Sequence, residues 1–215
     1  AQDVNKLYLG DVTGMKSRSV DVPLYVENTN PDVAALQFDI AVPAGVTLST
    51  TSSDCIIDYT RSTDHRMSVR ALTSSESGRT YRIIMLSPMN SKFKANKGKV
   101  ATFKASISST ASLQEGETYP FTVTGAVLSD SLGSNVLTEY QSGSITIGAN
   151  PDFTISDVQL TGASTVNPQD SVTLKWTVSN AGSAKAQGGF SETVYFVSTV
   201  TGEKCQIGTV YHNHE

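Results

Sequence analysis

The stretch Ala34-Ala35-Leu36-Gln37-Phe38-Asp39-Ile40-Ala41-Val42-Pro43-Ala44-Gly45-Val46-Thr47-Leu48 decides the fold class. Its large apolar side chains Leu36, Phe38, Ile40 and Val42 fall on every second residue and stop at a Pro/Gly turn. Successive side chains of a strand point to opposite faces, so this is a strand with one face in a core and with Gln37 and Asp39 on the other. The same period recurs at Val20 to Val26, Met67 to Ala71, Tyr81 to Met85, Phe103 to Ile107, Tyr119 to Val123 and Ile145 to Ile147. Gly125 predicts a bulge, because glycine inside a strand often marks one. No segment sustains a helical period, and Thr110 to Glu115 reads as a polar connection. The chain is therefore expected to be all-β.

Composition agrees. Ser, Thr, Gly and Asn are abundant and only 17% of the 215 residues are charged, a balance that suits short strands and polar turns. The net charge of −4 offers no basic field to recruit nucleic acid or an anionic membrane. No apolar run approaches the ~18 residues of a membrane span. The chain opens Ala1-Gln2-Asp3, as a product does after signal-peptide removal. With the composition, this gives the expectation of an exported protein, secreted or at the cell surface, facing the periplasm or the outside. Cys55 and Cys205 are read as buried thiols in different domains, not as a bridge.

After Gly148 the alternation breaks at Ala149-Asn150-Pro151-Asp152 and restarts at Phe153. A linker at about 148 to 152 follows, giving one domain over 1–148 and a second over 149–215. Net charge is −1 before the linker and −3 after it. The second segment has fewer than the ~100 residues of an immunoglobulin-type sandwich, so it reads as the truncated front of a longer domain. Strands are expected at Phe153 to Leu160, Val172 to Val178, Val194 to Val197 and Cys205 to Tyr211, with Asn180-Ala181-Gly182 as a turn. Trp176, on one face with Val172, Leu174 and Val178, is expected to be buried.

The first segment resembles a cohesin-like domain. The residues that carry the resemblance are Leu7-Tyr8-Leu9-Gly10, Val20-Asp21-Val22-Pro23-Leu24, Gln37-Phe38-Asp39-Ile40, Gly98-Lys99-Val100-Ala101-Thr102-Phe103 and Gly143-Ser144-Ile145-Thr146-Ile147. Cohesins are jelly-roll sandwiches, similar in fold to some carbohydrate-binding modules, and bind a dockerin partner through one sheet face. The second segment looks like the first half of a CARDB adhesion-related, immunoglobulin-like module. That resemblance rests on Pro151-Asp152-Phe153-Thr154-Ile155 and on Asp170-Ser171-Val172-Thr173-Leu174-Lys175-Trp176-Thr177-Val178-Ser179-Asn180-Ala181-Gly182. The implied fold is a cohesin-like jelly-roll β-sandwich followed by a partial immunoglobulin-like one.

The sequence offers little for catalysis, and no enzyme is expected. His65 stands in a polar Asp64-His65-Arg66 loop without a nucleophile motif. Carboxylates such as Asp54, Asp58, Glu115 and Glu117 form no pair suited to glycoside hydrolysis. His212-Asn213-His214 has metal-ligand spacing but no further ligands around it, and no metal site is assigned. Asn28-Thr29-Asn30-Pro31-Asp32 gathers oxygens that calcium could use, yet the same residues make ordinary turns. Apart from that calcium option, no cofactor is expected. Lys92 to Lys99 reads as a solvated basic hairpin loop. Asp130-Ser131-Leu132 and Asp170-Ser171-Val172 resemble the O-glycosylation acceptor pattern of some exported bacterial proteins.

What remains is recognition or adhesion. Gln37 and Asp39 face outward on the sheet that the cohesin resemblance assigns to a protein partner. Arg66, Ser68 and Arg70 alternate with Met67 and Val69 and are expected beside them. The alternative is an extracellular glycan bound on loop aromatics, for which Tyr59 and Tyr140 are the candidates.

Overall fold

A computed structural model describes residues 4–29, 32–94, 96–162, 171–182, 184–186 and 189–213. The chain divides into two compact units, Ala1–Gly148 and Ala149–Glu215. The first is a sandwich of two sheets, and the all-β class read from the period-two pattern is the one observed.

One sheet contains β1 (Asn5–Leu9), β3 (Ser19–Asn28), β5 (Val46–Leu48), β6 (Cys55–Ile57), β9 (Asn96–Ile107) and β11 (Glu139–Gln141). Its order is β11-β1-β3-β9-β5, with β6 beside β5 on the same edge of β9. The other contains β2 (Val12–Gly14), β4 (Ala35–Pro43), β7 (Arg66–Ser75), β8 (Gly78–Leu86), β10 (Thr118–Ser129) and β12 (Gly143–Ile147), in the order β2-β12-β10-β4-β8-β7. Most pairs are antiparallel. The two exceptions, β1 with β11 and β2 with β12, join the beginning of the unit to its end.

Alternation explains the core. Leu36, Phe38, Ile40 and Val42 of β4 are almost fully buried, and so are Tyr81, Ile83 and Met85 of β8. They meet Leu24, Val26, Phe103 and Ala105 from the facing sheet in one apolar cluster. At about 25 cal/mol per Å² of apolar surface removed from water, this interdigitated layer is the main stabilising term of the unit. The turn after β4 uses Gly45 at φ +88°, a left-handed backbone that favours glycine. Gly125 takes φ +58° where the β10–β4 register shifts between Thr124 and Val127, which is the expected bulge.

Two buried polar residues tie loops to this core. Arg61 donates from Nε to Lys94 O (2.9 Å), from Nη1 to Val26 O (3.1 Å) and from Nη2 to Asn28 Oδ1 and Asn96 O. His65 is 2% exposed, contrary to the polar-loop reading. Its Nε2 lies 3.1 Å from Ala34 O and its ring stacks on Phe93 at 4.1 Å. Phe93 is itself buried, so the Lys92 to Lys99 run is not a solvated loop throughout, and from Asn96 it is already β9.

Among its described residues the second unit has two antiparallel strand pairs, β13 (Phe153–Thr161) with β14 (Thr173–Asn180) and β15 (Phe190–Val197) with β16 (Lys204–His212). Leu174, Trp176 and Val178 share a face but are only half-buried, and Val172 lies outside β14 and is exposed. The expected burial of Trp176 is thus partial. Its indole Nε1 donates to Glu192 Oε2 (2.9 Å), which also meets His212 Nε2 at 2.9 Å. The cause is visible in β13 to β16, whose faces leave Ile155, Val158, Phe196 and Ile207 largely exposed, so little covers the indole. Cys205 is exposed in the same unit and Cys55 is half-buried, so neither is the fully buried thiol expected, and both are free. Burial and the nearby Asp54 charge push the Cys55 thiol up.

Candidate functional site

The sheet made by β10, β4, β8 and β7 presents its outward side chains in aligned rows, because register fixes which residues stand side by side. One row runs Thr124, Asp39, Arg82, Arg70; the next Val127, Gln37, Ile84, Ser68; the next Ser129, Ala35, Leu86, Arg66. The sequence-predicted residues Gln37, Asp39, Arg66, Ser68 and Arg70 therefore lie on one face of three adjacent strands. Arg66, Ser68 and Arg70 are exposed, while Gln37 and Asp39 are half-buried.

Arg82 was not singled out from the sequence, and it changes the character of Asp39. Its Nε and Nη2 hold the two carboxylate oxygens at 2.7 and 2.9 Å in a bidentate pair. These hydrogen bonds hold the Asp39 carboxyl below its ordinary range and raise the guanidinium. Arg70 stands directly across from Arg82, a like-charge neighbour. Among the described residues neither Arg66 nor Arg70 forms an ion pair. Next to these arginines stand Ile84 and Leu86 of β8, the latter 45% exposed, with Ala35 of β4 and Val127 of β10 continuing the apolar surface away from them. Alternation around Tyr81, Ile83 and Met85 was the signal that places Arg82, Ile84 and Leu86 here.

The outward face of the other sheet is differently made. Lys6 pairs with Glu139 (2.9 Å), Lys97 with Glu27 (3.5 Å) and Lys104 with Asp21 (3.2 Å), and Tyr8 stacks on Tyr25 with centroids 4.9 Å apart. Most of its polar groups are matched within the unit. Tyr59 and Tyr140 are both exposed, at 64% and 46%. Tyr140 lies in β11, however, and Tyr59 follows β6, so four strand spacings, roughly 19 Å, separate the strands that carry them. They do not form one platform.

The oxygen-rich turn is occupied by cations of the protein. Asn28 Oδ1 accepts from Arg61, and Asp32 takes Lys92 at 2.7 Å and Ser131 Oγ at 3.1 Å. Asn30 and Pro31 lie outside the described residues, as do His214 and Asp170. Among the described residues no three His, Cys, Asp or Glu side chains gather as a metal set. No helix among them is long and apolar enough to cross a membrane.

No family model matches the chain, and no curated protein matches it. Solved structures do. The third cohesin of ScaC from Acetivibrio cellulolyticus, in complex with the ScaB dockerin, aligns with a TM-score of 0.51 at 19% identity, over 68% of this chain and 100% of that one. The first unit has the cohesin fold. CaCohA2 from Clostridium acetobutylicum aligns at 0.51 with 18% identity, over 68% and 92% of the two chains. The sixth cohesin of scaffoldin B from Acetivibrio cellulolyticus, in complex with the Cel5 dockerin, gives 0.50 with 15% identity over 67% and 99%.

Proposed function

We propose that the first unit is a non-catalytic recognition module that binds a protein partner on the outward face of β10, β4, β8 and β7. The observation that carries this reading is the face itself: apolar Val127, Ala35, Ile84 and Leu86 across β10, β4 and β8, flanked on the β7 and β8 side by Arg66, Arg70 and Arg82. Interfaces combine an apolar, desolvated centre with a polar rim, and a flat sheet provides both without a pocket. The cohesin neighbours solved with dockerins support the same class of contact. The composition, rich in Ser and Thr, supports placing the module in an exported surface or secreted protein. We read the second unit as CARDB-like, on the strength of the Trp176 strand and the Asn180-Ala181-Gly182 turn.

The test is capture of partners from the native host on the immobilised chain, then affinity measurement with Ile84→Asp and Leu86→Asp. Loss of binding in both variants, with thermal melting preserved, supports the face. A partner that binds both as tightly as wild type places recognition elsewhere. The glycan alternative rests on the exposure of Tyr59 and Tyr140, and a glycan array repeated with Tyr59→Ala and Tyr140→Ala decides it.

A further inference from the structure

We propose that the partner of this face is an acidic protein segment, whose carboxylates are taken by Arg66 and Arg70. The inference rests on the docking reading above and adds the chemistry of the occupant. Charge is distributed unevenly over the first unit. The unit carries a net −1, yet the hairpin from Arg66 to Leu86 holds Arg66, Arg70, Arg79 and Arg82 against Glu76 alone. Among the described residues of the three rows the one carboxylate, Asp39, is held by Arg82. Arg66 and Arg70 stand four residues apart on β7, exposed on the same side and without an ion pair among the described residues. At a strand rise of about 3.4 Å per residue they are roughly 14 Å apart, a span that two acidic residues of one segment can bridge.

A guanidinium offers a planar fork of donors that fits a carboxylate in a bidentate pair, as Arg82 already shows on Asp39. A second copy of this chain is disfavoured, because a two-fold contact through this face would set arginine against arginine. There is a structural explanation to separate from this one. β7 is an edge strand, and charged residues on edge strands prevent sheet-to-sheet aggregation. Reversing the charge keeps the edge charged and removes only the preference for carboxylates.

The experiment uses the full chain, a displayed library of random 16-residue peptides, and chondroitin sulfate as an anionic glycan probe. Wild type is expected to enrich Asp and Glu, and the selected peptides to lose roughly tenfold or more in affinity to Arg66→Glu/Arg70→Glu. Selection on the charge-reversed chain should enrich Lys and Arg instead, and the wild-type complexes should weaken as salt rises. Absence of Asp and Glu enrichment, or peptides indifferent to the reversal, overturns the proposal. Peptides indifferent to the reversal but lost on Leu86→Asp would keep the face and refute its acidic preference. Peptides indifferent to both would refute the face as well. Chondroitin sulfate binding that disappears on charge reversal, without peptide enrichment, would overturn it in favour of an anionic glycan.

Discussion

Replacing Arg61 by Ala removes a guanidinium that reaches four acceptors on three segments of the first unit. Two of these bonds, to Val26 O and Asn28 Oδ1, are buried, whereas those to Lys94 O and Asn96 O are partly wet. An acceptor left buried without a donor costs about 1–3 kcal/mol, and water can re-satisfy the outer two. Against this stands the relief of no longer desolvating a charge, since burial lowers the tendency of Arg61 to hold its proton. The balance is a loss of about 2–4 kcal/mol. For a unit of this size about 1 kcal/mol shifts the melting temperature by about 2–4 °C, so the expected drop is about 5–15 °C. Lysine should recover less than half, because a compact ammonium cannot span acceptors on three segments. The only tryptophan, Trp176, lies in the second unit, so its fluorescence is blind to this event. Calorimetry of the full chain, with tyrosine near-UV dichroism for the first unit, gives the measurement. A drop below 2 °C in Arg61→Ala, or full recovery in Arg61→Lys, would refute the reasoning.

Three further outcomes are expected. Burial lowers the pKa of His65, whereas an unfolded imidazole takes up its proton near 6.5, so stability is whole above that pH and is lost as pH falls below it. Melting between pH 7 and 5 should therefore decline more steeply in wild type than in His65→Gln, and equal slopes would count against it. Gly78 sits at φ +148° with a Cβ position 2.0 Å from Val42 O, so Gly78→Ala should destabilise by about 1–3 kcal/mol in urea unfolding. Asp39→Ala with Arg70→Ala should keep the melting temperature within about 2 °C, because the Asp39–Arg82 pair is still in contact with water, at 21% and 41% side-chain exposure, while weakening any partner bound on the face.

Period-two alternation was enough to find β3, β4, β7, β8, β9, β10 and β12, since each buries one face against the opposing sheet. β2, β5, β6 and β11 are not legible because three-residue strands carry no measurable period, and what holds them is pairing with distant strands. Glu139–Gln141 reads as polar loop until β1 is seen beside it. The outward positions of Gln37, Asp39, Arg66, Ser68 and Arg70 were legible for the same reason as the core. The Arg82 fork on Asp39 needed the cross-strand register, which the sequence of one strand does not contain. Extending the Met67 and Val69 alternation back by one step would have placed His65 inside, but the polar residues around it masked the signal. Apolar spacing overstates the burial of Trp176, because an indole is buried only as far as neighbouring elements cover it.

The parallel pairing of β2 with β12 has a temporal consequence. Among the described residues β2 finds its sheet partner only in β12, so it cannot pair before Ile145 to Ile147 have been synthesised. At about 5–20 residues per second that interval is roughly 7 to 26 seconds. Throughout it, the amino-terminal strands must avoid foreign edges while the closing strand is still being made. The sandwich therefore cannot be completed progressively from its beginning; it closes in a late step, when its last strand meets one of its first.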